Sequence, residues 1–313
     1  MLGRRLISAA VIVSVTILLL CVDFWLGTEN ILGRPGLIVC LLATIAAGMA
    51  ASELVAMLAN VTNRVNHNFV VAATVAMLLV ICGPVWWRDY PVDCPLGRFG
   101  WGLAGFVLAI VLTFAHEMLN FQAPIGGKGK GEVTDRLGRC ALVFAYVAMC
   151  FGFLVPHRFL LDGNGYGILA LVTLIATVKT SDAAAYFAGK RFGTIKLAPQ
   201  LSPGKTLQGS LGAPVGGCLA TAICLFVVAP LIFHIEVQKP WWWFLVYGIL
   251  VTAAGMMGDL AESLIKRDCN TKDSSSWLPG LGGVLDILDS LVFAAPVSYF
   301  LWIIAELPAE AAN

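Results

Sequence analysis

Between Gly258 and Ser290 an otherwise apolar chain becomes dense in acids, bases and hydroxyls. Drawn as a helix, the first part places Asp259, Glu262, Ser263, Lys266 and Arg267 at i, i+3, i+4, i+7 and i+8, on one face. Pro279-Gly280 and Gly282-Gly283 signal a turn, after which a second helical run sets Asp286, Asp289 and Ser290 at i, i+3 and i+4. Two helices thus offer carboxylates to a shared space, with cations beside them. That chemistry suits a divalent ion carrying a phosphate ester: carboxylates hold the metal, and Lys and Arg hold the remaining phosphate oxygens. A solvated loop between membrane helices would account for charge, but not for three acids that continue into helix cores, where ionised groups are costly.

A second polar segment runs from Lys179 through Asp182 to Gly193, and then from Leu201 to Gly209. Ser202, Lys205 and Thr206 place donors around a Pro-Gly turn, and Asp182 is an acid at the edge of an apolar run. Gly204-Lys205-Thr206 has the ending of a phosphate loop, but Pro199 stands where that motif needs its first glycine. An amphipathic surface helix and loop is the plain alternative; a second charged segment on the same membrane face favours an anion site. Elsewhere, Glu53 lies alone in an apolar run, either as a functional acid or as a partner for backbone or a neighbouring helix. His116-Glu117 begins a zinc-helix motif, but Asn120 takes the second histidine's place, so no zinc site follows. The tract Gly126 to Gly131 reads as a flexible connection rather than a phosphate loop.

These residues must be positioned by elements suited to lipid. Hydrophobic residues make up 59% of the 313 and charged ones 12%, with a mean hydropathy of +0.85, far from the roughly 25% charge of a soluble domain. The fold class is an all-α polytopic integral membrane protein. About nine transmembrane helices can be drawn, over 6–26, 36–59, 69–87, 101–121, 137–155, 165–179, 210–233, 241–258 and 284–305, the sixth being short. The first is too long in its apolar core for a cleaved leader and reads as a retained span. With the N-terminus cytoplasmic, fifteen of the twenty Lys and Arg fall in the inner segments, which places both polar stretches at the cytoplasmic face. Trp86-Trp87 and Trp241 to Trp243 sit at span ends, where indoles favour the headgroup region. Of nine cysteines, six (Cys21, Cys40, Cys82, Cys150, Cys218, Cys224) lie in apolar runs and none forms C-x-x-C, which suits small buried hydrophobes. The net charge of +1, without a basic tract, points to no nucleic acid partner.

The two polar segments together resemble the CDP-diacylglycerol synthase (phosphatidate cytidylyltransferase) family. The family signature is matched at Ser263-x-Ile265-Lys266-Arg267, Lys272-Asp273, Ser275, Leu278-Pro279, Gly282-Gly283, Asp286 and Asp289, with every spacing kept. The upstream family block is matched from Asp182 to Lys190 and from Ser202 to Gly209, so the resemblance covers roughly the C-terminal 140 residues. Three positions depart from it: Leu281 replaces a family His, Ile287 a family Arg and Gln208 a family Glu.

What the resemblance implies is an active site at the cytoplasmic face that transfers CMP from CTP to phosphatidic acid, yielding CDP-diacylglycerol and pyrophosphate. Asp259, Asp286 and Asp289 are then the expected metal ligands and, with Lys266, the catalytic set; Mg²⁺ is the expected ion, and a second metal is compatible with the scheme. Glu262 is an additional or supporting ligand. Lys266, Arg267 and Lys272 would contact the triphosphate, with Ser263 beside them. Ser202, Lys205 and Thr206 would help hold one phosphate, and Asp182 would orient a lysine or a water. The chain divides on this reading into N-terminal transmembrane helices, 1–160, and a C-terminal catalytic region, 161–313, with cytoplasmic loops 179–209 and 259–283. The expected location is the bacterial inner membrane, with lipids, CTP and phosphatidic acid as partners; a homodimer is compatible. Leu281 and Ile287 motivate two alternatives, a different lipid phosphate as acceptor or a non-catalytic paralogue. A cation transporter built on buried acids is a third, disfavoured by the clustering of the acids in one cytoplasmic segment.

Overall fold

The computed structural model describes residues 2–28, 36–60, 65–87, 90–91, 93–97, 100–121, 131–160, 164–237, 240–278, 280 and 282–304, with side chains at 2–13, 28 and 164 excepted. Leu281, Pro279 and most of the Gly126 to Gly131 tract lie outside these residues.

Helices occur at each of the nine expected places: α1 (Leu2–Thr28), α2 (Leu37–Leu58), α3 (His67–Ile81), α4 (Gly100–Leu119), α5 (Glu132–His157), α6 (Asn164–Phe192), α7 (Leu207–Ile232), α8 (Trp243–Asp268) and α9 (Val284–Ile304). Among the described residues, seven of them, α2 and α4 to α9, are long and apolar enough to cross a membrane, and the apolar stretches Ser14–Gly27 and His67–Ile81 are shorter. The protein is a polytopic helical membrane protein.

Two details differ from the sequence reading. The sixth helix does not stop near Lys179 but runs unbroken to Phe192, because Ala183 to Ala185 and Ala188 favour helix and outweigh the single Gly189. The chain is also not wholly helical: β1 (Lys196–Ala198) pairs antiparallel with β2 (Ser202–Thr206), Lys196 opposite Thr206 and Ala198 opposite Ser202. Pro199 falls in the turn of this hairpin, where its missing N–H costs no ladder bond.

The chain forms two compact units. The first comprises Met1–Leu26, Asn30–Val155 and Asp268–Ile287. Its α2 is lined with small residues (Ala43, Ala47, Ala50 and Ala51 are buried), which lets neighbouring helices approach closely. Arg136 of α5 makes a two-pronged bond to Glu117 of α4, with Nη2 2.7 Å from Oε2. Arg139 donates to the Leu58 carbonyl at 2.8 Å, satisfying an orphan acceptor at the end of α2. His116, beside Glu117, stacks on Phe69.

The second unit comprises Gly27–Glu29, Pro156–Arg267 and Leu288–Asn313. Gly209, Gly212 and Gly216 of α7 face the Ala185 carbonyl and the Ala188 and Ala184 side chains of α6, a contact that a Cβ on α7 would break. Trp243 is not an interfacial residue like the exposed Trp241 and Trp242; it is buried against Tyr247 and Trp302. His157, Ser298 and Tyr247 form a buried hydrogen-bonded chain. None of the nine cysteines forms a disulfide, and Cys21 is exposed rather than buried.

Candidate active site

In the second unit, three helices and the hairpin bring most of the expected residues together. Gly258 of α8 packs directly on the Asp289 carbonyl of α9, so the backbones of the two helices touch there. Asp259 follows that glycine and lies within electrostatic reach of both Asp289 and Asp182 of α6. The hairpin adds Lys205, whose Nζ is 2.6 Å from Asp259 Oδ2, with the two side chains 24% and 32% exposed. One ion pair therefore joins the upstream and downstream segments, 54 residues apart in sequence. Lys179, one turn before Asp182 on α6, stands 3.9 Å from it and also acts on Asp289.

Local structure explains why Lys205 is held there. Thr206 is the N-cap of α7, its Oγ1 accepting from the Gly209 N–H at 3.2 Å, and this pins the end of β2. At the start of the hairpin, Gln208 Oε1 accepts from the N–H groups of Thr194 and Ile195, and its Nε2 donates to Thr194 Oγ1 at 2.7 Å. Arg267 Nε donates to the Leu201 carbonyl at 3.2 Å, tying the hairpin turn to the end of α8. Ser202 lies on β2 beside that turn.

On α8, Glu262 is 1% exposed and holds Lys266, with Nζ 2.7 Å from Oε2. Ser263 is buried on the same helix. Asp289 is 8% exposed and accepts from Ser290 Oγ at 3.0 Å.

Asp286 and Lys272 lie in the first unit. Lys272 is exposed in the loop after α8. Asp286 Oδ2 accepts from the N–H groups of Ser274 and Gly283, at 2.9 and 2.7 Å, and lies 2.9 Å from Ser274 Oγ. This carboxylate closes the loop that leads into α9. Glu53 grips the same loop and the first amides of α9. It thus takes the backbone-pairing role of the two read from sequence. Ser274 and Lys179 carried no role in that reading; Lys179 was discoverable from its i, i+3 spacing to Asp182.

The donor set fits a hard divalent cation. Asp182, Asp259 and Asp289 supply oxygen only, and three acids outnumber the two lysines acting on them. Among the described residues no three His, Cys, Asp or Glu side chains converge on one point. Mg²⁺ does not require such a cage, since it is commonly held by one or two carboxylates, substrate phosphates and water.

Helix ends and a Ser-Pro-Gly-Lys-Thr hairpin thus bring acids and lysines into one cluster of a helical membrane protein. A model of the cytidylyltransferase family matches residues 4–305, and the chain belongs to that family. Phosphatidate cytidylyltransferase of Bacillus subtilis (strain 168) is 34% identical over 167 residues, covering 53% of this chain and 58% of the relative. The phosphatidate cytidylyltransferase of Thermotoga maritima is 31% identical over 182 residues, 58% of this chain and 65% of the relative. The uncharacterized protein YnbB of Escherichia coli (strain K12) is 39% identical over 134 residues, 43% and 42% respectively. The chain spans about half the length of the curated relatives it matches.

Proposed function

We propose that the chain is a phosphatidate cytidylyltransferase, transferring CMP from CTP to phosphatidic acid with release of pyrophosphate. Family membership supports the reaction class, and the Lys205–Asp259 ion pair is the observation that carries the site. It joins the two segments that the reaction needs, one rich in phosphate donors and one in carboxylates.

An oxygen of the phosphatidate monoester forms the new bond to the α-phosphorus of CTP, and the bond from that phosphorus to pyrophosphate breaks. The monoester is already anionic near neutral pH, so the residues need not remove a proton. Their task is to hold two polyanions together and offset charge on the leaving group. Lys205, Lys266, Arg267 and Lys272 neutralise triphosphate oxygens, and Glu262 aims the Lys266 ammonium. Ser202, Ser263 and the Thr206 hydroxyl donate to phosphate. Asp182 orients Lys179. Asp259 and Asp289, with Asp286 one turn earlier on α9, would hold Mg²⁺, which when bound would supply charge neutralisation and a template for the phosphates. A second metal is compatible with this acid-rich set.

The same proposal places the N-terminus and the site on the cytoplasmic side of a bacterial inner membrane, with nine spans, a catalytic region over 161–313 and the lipid tails between helices. A homodimer is compatible with it. The test is pyrophosphate release by purified protein under Mg²⁺ titration with CTP and a panel of lipid phosphates. Release that needs both CTP and phosphatidate is expected. Release with a different lipid phosphate alone would replace the acceptor, and none with any acceptor would make the chain a non-catalytic relative.

A further inference from the structure

We infer that Glu53, in the interior of α2, is a positioning residue that sets the start of α9 and so its first turn, which bears Asp286; this rests on the proposed role of that acid. Glu53 is 2% exposed in a helix otherwise made of apolar and small residues. An unpaired carboxylate there would be strongly unfavourable. Its two oxygens are instead fully engaged by four donors. Oε1 accepts from Ser275 Oγ at 2.7 Å and from the Val284 N–H at 2.9 Å. Oε2 accepts from Ser274 Oγ and from the Leu285 N–H, both at 2.9 Å.

Val284 and Leu285 are the first two residues of α9, and their N–H groups have no partner within the helix. A helix start is ordinarily capped by a side chain from its own sequence. Here the cap comes from a residue 231 positions earlier. The location of the α9 start is thereby referred to α2 and not only to the chain just before it. The negative charge also meets the positive end of the helix dipole. Through Ser274, whose hydroxyl lies 2.9 Å from both carboxylates, Glu53 is linked to Asp286.

Gly283 is an independent sign of this arrangement. A Cβ at that position would fall on Ser274 Oγ and on both oxygens of Glu53. The second glycine of the Gly282-Gly283 pair is required by the incoming carboxylate, since its own φ is not positive. Glu53 and Gly283 are thus a matched pair.

The test is Glu53→Gln in the full-length protein. Each carboxylate oxygen takes one hydroxyl and one backbone N–H. Whichever way the amide is placed, its NH₂ therefore faces a backbone N–H that cannot accept. Volume is preserved while one cap bond is necessarily lost. We expect a folded protein whose Val284 or Leu285 amide exchanges faster. CMP transfer should fall about 10- to 100-fold and the Mg²⁺ requirement should rise, with KM for the lipid acceptor unchanged. If Glu53→Gln does not fold, the matched pair decides instead. Glu53→Asp withdraws the carboxylate from the place of a Cβ at 283 and leaves room for the Ser274 hydroxyl, the other group there, to turn aside about χ1, so the double variant with Gly283→Ala should recover activity lost in Gly283→Ala alone. Wild-type transfer and Mg²⁺ dependence in Glu53→Gln, unchanged exchange at both amides, or no recovery in the double variant would overturn the assignment. If the native chain transfers no CMP to any acceptor, the functional reading fails separately. Amide exchange at Val284 and Leu285 then decides the role of Glu53 alone.

Discussion

Gln208 stands where the family pattern has Glu, and its side chain clamps the turn after α6 through two accepted backbone bonds and one donated bond to Thr194. A glutamate could accept from the same two N–H groups and accept a hydrogen bond from the Thr194 hydroxyl, which rotates to donate or accept. Gln208→Glu should therefore change stability by less than about 1 kcal/mol, read as an unshifted thermal midpoint. Asp259 has no such substitute. Asp259→Asn removes the charge that holds Lys205 and is expected to lower Mg²⁺-dependent CMP transfer by about 10²-fold or more. Unimpaired turnover would take Asp259 out of the site. Lys205→Met keeps the stem and removes the ammonium, so a similar loss is expected with weaker CTP binding, read as a raised KM for CTP.

Elements decide whether those side chains meet. The hairpin is only eight residues of paired strand, and Thr206 joins it to α7 by capping that helix. Thr206→Ala should cost about 1 kcal/mol and lower the thermal midpoint, because the Gly209 N–H loses its acceptor. Valine at 206 would keep the β preference without the cap and serves as the control for strand propensity. The helical spacing of Asp259, Glu262, Ser263 and Lys266 was plain in the sequence, and α8 confirms it as one continuous helix. The β pairing was hidden, because a strand containing Pro203 and Gly204 has little propensity of its own and is held by Gln208, Thr206 and Arg267.

For the whole molecule, apolar run length located the nine helices, and among the described residues seven of them are spanning candidates by length and composition. α6, at 29 residues, is about 43 Å long. That exceeds a hydrocarbon core of about 30 Å, so the helix has length to carry Lys190 and Arg191 out to the headgroup level. The proposed orientation puts the hairpin in the cytoplasm. Gly204 is exposed and has open space around its Cβ position, so Gly204→Cys is a tolerated label site once the exposed Cys21 and the loop residue Cys94 are replaced. A membrane-impermeant maleimide should modify it in inside-out vesicles and not in right-side-out ones. The reverse pattern would invert the topology.

Composition and spacing determined by themselves that this is a helical membrane protein with two polar segments, because lipid solvation demands long apolar helices and makes every retained charge conspicuous. The pairing of Lys205 with Asp259, the packing of Gly258 on Asp289 and the capping of α9 by Glu53 were decided only by tertiary structure. Each joins residues on different elements, and a one-dimensional pattern records the face a side chain occupies but not which face lies opposite.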